Sequence, residues 1–233
     1  MSQAEGARER WLRTTALSIG ALFWISNLST LVGTVITGPI PNATDALARF
    51  AQRGTQEVIG TLVTHANDAA IIGYSVLLYA VLRRYSEPLA LGYVAFKLME
   101  AALLLVSGAA LLSLITLSER SAAGGVDASS FRAAAEATLA GQFWASRMGA
   151  LAYVVATPLL SYLLYRTRLV PRFISIWGFV AVALLAVGLA SGVGDPTRGF
   201  EPAQLLVIPI ILWELFFATW LIVRGFRTEL SAA

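Results

Sequence analysis

Charged residues fall along this chain at intervals of bilayer length, with almost nothing but apolar residues between them. No charge occurs between Arg13 and Asp45, and 22 uncharged residues separate Arg172 from Asp195. Four further stretches, roughly 58–82, 89–117, 143–165 and 203–223, are equally apolar but carry isolated ionisable groups. A membrane-crossing helix needs about 20 mostly apolar residues, because it rises about 1.5 Å per residue through a hydrocarbon layer about 30 Å thick. The pattern therefore predicts six helices near 14–37, 58–82, 89–117, 143–165, 172–194 and 203–224. None shows the alternation of a barrel strand, and a helix satisfies its own backbone hydrogen bonds in lipid. The expected fold is all-α: a polytopic bundle of six transmembrane helices forming a single integral-membrane domain over 1–233.

The connections on one side are short turns; those on the other are longer and carry helix signals. Residues 44–53 (TDALARFAQR) begin with Thr44 in a capping position and set Leu47, Phe50 and Ala51 on one side, as in a short helix at the outer interface. The 118–142 connection holds a Gly124–Gly125 break and then a helix-prone run behind Ser129 and Ser130 that leads into the fourth span. Pro158 and Pro209 fall inside the fourth and sixth predicted helices, where each removes a backbone hydrogen bond and predicts a kink. The apolar core of the first helix is longer than that of a signal peptide and no A-x-A cleavage site follows it, so a span is expected there.

Composition agrees with lipid as the solvent. Of 233 residues, 57% are hydrophobic and 13% charged, against about 25% charged in a soluble domain. Lys and Arg are unevenly distributed. The N-terminal tail, the 2–3 and 4–5 turns and the C-terminal tail carry ten, the alternate loops five, while acids number four and seven in the reverse sense. Positive charge marks the cytoplasmic side, so both termini are expected in the cytoplasm, with the chain in the plasma membrane. The net charge of +3 fits orientation better than nucleic-acid binding. With no cysteine and one histidine, disulfides, thiolate metal sites and multi-histidine centres are excluded within one protomer, and no cofactor is expected. The fifth helix is rich in small residues, including Gly188 and Gly192 four apart, which let helices approach closely. Packing within the monomer and pairing between two copies both account for them.

Six ionisable residues remain inside the spans: His65, Asp68, Lys97, Glu100, Arg147 and Glu214. A charge at the bilayer centre costs about 2.5–3.5 kcal/mol even on insertion scales, so such groups face the bundle interior and pair, or stay neutral. Helix rise places Asp68, Glu100 and Glu214 near the midplane, about 15 Å from the helix ends. Lys97 shares a helix face with Glu100, His65 shares one with Asp68, and Arg147 lies in the outer half of its helix. Asp68, Glu100 and Glu214 are the candidate catalytic acids; His65, Lys97, Arg147, Asn27 and Tyr93 are candidate ligand-binding residues. Three acids face two permanent bases, so either His65 is protonated or one carboxyl keeps its proton, as a general acid must. The competing reading is an interhelical polar lock without chemistry. No nucleophile elbow, Ser-x-x-Lys, H-E-x-x-H or phosphate loop occurs.

The stretches RRYSEP (83–88), LALGYVAFKLMEAALL (89–104), LVPRFISIWGFVAVALL (169–185) and PIILWELFFATWLIVRGF (209–226) together resemble the bacterial multi-pass proteins of domain-of-unknown-function family 4386. The resemblance runs from the opening of the first helix to the exit of the sixth. It implies a six-helix bacterial membrane protein and places the family's basic–acidic pair on Lys97 and Glu100 and its sixth-helix acid on Glu214. Arg is usual at the first of these, so Lys97 is a departure that exchanges a bidentate clamp for a point charge. The resemblance implies nothing for His65.

Three functions follow as expectations. The bundle binds a small apolar or amphipathic molecule in a polar-lined intramembrane cavity, flanked by aromatics such as Trp24, Trp213 and Trp220. Alternatively, an intramembrane enzyme isomerises or cyclises an isoprenoid-like lipid with a protonated Asp or Glu. In the third reading the chain is a structural subunit whose charges lock helices.

Overall fold

A computed structural model describes residues 3–39, 42–123, 128–191 and 202–227. The described residues form six long helices and no strand: α1 (Gln3–Thr37), α2 (Ala43–Leu82), α3 (Glu87–Ala123), α4 (Ala128–Thr167), α5 (Arg172–Ala190) and α6 (Ile208–Val223), the last preceded by a 3-10 segment at Pro202–Val207. All six are long and apolar enough to cross a membrane. Each packs on the next in sequence, and α6 returns to α1, so the helices close a ring that α2 and α4 bridge from within.

The predicted spans are present, but several helices overrun them. The short helix expected at 44–53 is present as the opening segment of α2, set off from the rest by a kink at Arg53 (φ −123°, ψ 21°), where the backbone leaves the helical region. Its cap is Asn42, whose side chain accepts a hydrogen bond from the Asp45 amide at 3.0 Å, in place of the expected Thr44. Ala46 and Phe50 from this segment pack with Leu114 of α3 and Ala135 of α4 in a small second core. The overrunning ends of α2, α3 and α4 thus bury one another's apolar faces. The expected Gly124–Gly125 break lies outside the described residues. Pro209 also differs from expectation: α6 starts at Ile208, so the proline occupies the first turn, where a missing N–H breaks no helical bond. Pro158 does lie inside α4.

Basic side chains finish the helices. Arg13 of α1 donates to the last carbonyls of α6, Leu221 at 3.4 Å and Ile222 at 2.8 Å, and so ties the two chain ends to one end of the bundle. A cation at a helix C-terminus satisfies orphan carbonyls and opposes the helix dipole. At the opposite end Arg49 does the same for α1, donating to the carbonyls of Thr37 and Pro39. Its Nε is held 2.6 Å from the buried carboxylate of Glu57. In α5, Gly188 is buried within the protomer; Gly192 lies outside the described residues.

Candidate functional site

Glycines at two crossings set the course of α1. At Gly20 it touches α6 so closely that a Cβ would lie 2.6 Å from the Ala218 carbonyl oxygen. More than three turns further on, α1 lies as close to α2, which it already meets at Phe23 and Ser26: a Cβ on Gly33 would lie 2.7 Å from the Gly60 carbonyl. Between α1 and α6 lies a cavity of about 590 Å³. Its mouth is formed by the exposed residues Leu28, Leu31 and Thr34 of α1 and Ile211 of α6, so it opens sideways between those helices.

The walls are mostly apolar, interrupted by Thr30 and Thr34 near the surface and by Asn27, Asn67, Glu100 and Glu214 further in. Glu214 of α6, half-buried, accepts hydrogen bonds on both carboxylate oxygens: from Tyr153 Oη of α4 at 2.8 Å and from Asn27 Nδ2 of α1 at 3.1 Å. Glu100 of α3 lines the same cavity, is 6% exposed, and is paired with Lys97 Nζ at 2.6 Å. The Lys97 ammonium lies 4.4 Å from the Tyr153 ring centroid and 5.3 Å from that of Tyr74, so two aromatic rings and one carboxylate replace its hydration. Tyr153 therefore links the two acids, its ring against Lys97 and its hydroxyl on Glu214. Below the floor, Tyr74 stacks on Phe23 at 4.0 Å, Phe23 meets Phe217 edge-on at 5.5 Å, and Phe217 stacks on Trp213 at 5.6 Å. This aromatic row fills the interior between the cavity and the end that carries the chain termini.

The remaining predicted residues lie off the cavity wall. Asp68 is buried and bonded to His65 Nδ1 at 2.6 Å and to Asn67 Nδ2 at 3.2 Å. Asn67 itself lines the cavity and is held by Ser26. The His65 imidazole lies over Gly108 of α3 in the space a side chain would need, so the His65–Asp68 pair sits at the α2–α3 contact. Arg147 of α4 donates to the carbonyl of Leu189 near the end of α5 and lies 5.3 Å from the Phe143 ring. Tyr93 is buried in the apolar core of α3, one turn before Lys97.

Sequence reasoning passed over Tyr153, Ser26 and Asn67, all neutral. One signal for Tyr153 exists. It lies ten residues past the predicted start of its span, about 15 Å deep, level with Glu214.

The described residues contain no group of three or more His, Asp or Glu side chains able to hold a metal ion. No curated protein and no solved structure matches the chain. Residues 18–225 match the family model described as a domain of unknown function, DUF4386. That interval contains the complete cavity wall and all six helices of the ring except the first fifteen residues of α1, and the chain belongs to that family.

Proposed function

We propose that this multi-pass membrane protein binds a small apolar or amphipathic molecule, which enters sideways from the bilayer between α1 and α6. The observation that carries the reading is the cavity itself: mostly apolar walls, with Glu214 and its two donors facing the space. Ligand sites have that make-up, apolar walls for affinity and a few placed polar groups for orientation. We further take the chain as one membrane domain in the bacterial plasma membrane with cytoplasmic termini, which the ten-to-five division of Lys and Arg supports.

The test is extraction of the purified protein in nanodiscs and mass spectrometry of what it carries, for the wild type and for Thr30→Trp, which fills the space from the α1 wall. A bound amphiphile present in the wild type and lost from the folded variant is the expected result. The same lipid content in both would defeat the reading and leave the polar groups as helix locks.

A second reading, catalysis, is favoured by one contact. A tyrosine hydroxyl 2.8 Å from a carboxylate that faces an apolar space is a geometry for passing a proton to or from a bound isoprenoid-like lipid. It predicts that Tyr153→Phe keeps the bound lipid but loses its conversion.

A further inference from the structure

The charges on the cavity wall do not balance, and the deficit points to the kind of head group the site accepts. Two carboxyl groups line the space, those of Glu100 and Glu214. Glu100 has its counter-ion at 2.6 Å in Lys97. That ammonium is occupied: Tyr74 and Tyr153 cover it, and it is 3% exposed. Glu214 has none. Both its hydrogen-bond partners, Asn27 and Tyr153, are neutral, and none of the four ion pairs among the described residues includes it. His65 and Asp68 are bonded to each other, and Asp68 accepts from Asn67, so neither is shown bonded to Glu214. Both Glu214 oxygens serve as acceptors, and each carboxylate oxygen has a second lone pair beyond the one already engaged.

We infer that the missing counter-ion is brought by the ligand: the cavity selects amphiphiles with a protonated amine head and a single apolar tail, the amine on Glu214 and the tail along Leu28, Leu31 and Ile211 toward the lateral mouth. An alkylammonium supplies donors only, which suits an acceptor that already has its donors. An anionic head would meet two carboxylates at the inner end. A neutral alcohol would find a hydrogen bond but leave the charge of Glu214 uncompensated in an apolar space, where an unpaired charge is costly. The inference rests on the cavity-binding reading and specifies the head group.

The experiment uses the full chain in a non-ionic detergent at neutral pH. Native mass spectrometry titrates dodecylamine, which is protonated there, and dodecanol, which has the same tail. The wild type is expected to bind the amine about tenfold more tightly than the alcohol, the scale of one partly desolvated ion pair. Glu214→Gln, which keeps shape and hydrogen bonding but removes the charge, is expected to bring the two affinities together, with its retained dodecanol binding reporting an intact cavity. Equal binding of both probes to the wild type overturns the head-group inference and leaves the cavity reading standing. So does an amine preference that survives Glu214→Gln. Failure of both probes to bind folded wild-type protein overturns the cavity reading as well. The wild-type comparison needs no variant, so a misfolded Glu214→Gln protein does not remove the test.

Discussion

Lys97 is buried in the middle of the bundle with partners suited to an ammonium: a carboxylate at 2.6 Å and two tyrosine rings within 5.3 Å. Removing one member of such a pair leaves the other buried and uncompensated, which costs about 3 kcal/mol or more, whereas removing both costs far less. Lys97→Met is therefore expected to lower the melting temperature in detergent strongly, and the double variant Lys97→Met/Glu100→Gln to recover most of the loss. A double variant as unstable as the single one would show that the pair contributes little beyond its volume. This pair was legible in the sequence, since residues three apart share a helix face. The partners of Glu214 were only half legible. Asn27 was visible as a polar residue in an uncharged span, but Tyr153 resembles any interfacial or core tyrosine until another helix brings Glu214 to its hydroxyl. Arg147 was legible as an anomaly without its cause, because the Leu189 carbonyl it satisfies lies 42 positions away on another helix.

Among the helices, α1 frames the cavity together with α6 and α2, held by close backbone approach to α6 at Gly20 and to α2 at Gly33–Gly60. In lipid, apolar surface offers no hydrophobic reason for helices to associate, so packing of small residues carries much of the adhesion. Even one methyl at Gly33 would press on the Gly60 carbonyl and the Thr64 amide, both 2.7 Å from its position. Overpacking of this kind costs about 1–3 kcal/mol. Gly33→Ala is expected to lower stability by that amount and to retain less of the proposed bound amphiphile than the wild type, because α1 must shift at the cavity wall. A fully stable, fully loaded Gly33→Ala protein would count against this role of the Gly33–Gly60 contact. The sequence drew attention to the small residues of the fifth helix, where they recur; the single glycines of α1 and α2 have no period to reveal them. The helical segments at 44–53 and behind Ser129 were legible from their caps and spacing; their packing on one another around Phe50, Leu114 and Ala135 was not, because it joins residues of three helices.

For the whole molecule, the ring arrangement brings the chain ends together through Arg13 and the α6 carbonyls. It also sets the basic turns at 83–86 and 166–172 on the same end, opposite the mouth residue Thr34. The orientation proposed for this arrangement has a direct check, because the chain contains no cysteine. A membrane-impermeant maleimide is expected to label Gln52→Cys in intact cells and Arg84→Cys only after the membrane is opened; both positions are exposed. The reverse result would invert the orientation, and labelling of both in intact cells would contradict six crossings.

Taken by itself, the sequence determined the class of fold, the number and approximate extent of the spans, and which ionisable groups had to be sheltered. These follow from solvent: a backbone and a charge each meet lipid on terms that local sequence states completely. The cavity, its lateral mouth, the pairing of Glu214 with Tyr153 and Asn27, and the diversion of Arg147, His65 and Asp68 to helix contacts were decided only by tertiary structure. Each depends on the angle at which two helices cross, and that angle is set by a few close backbone contacts between residues far apart in the chain.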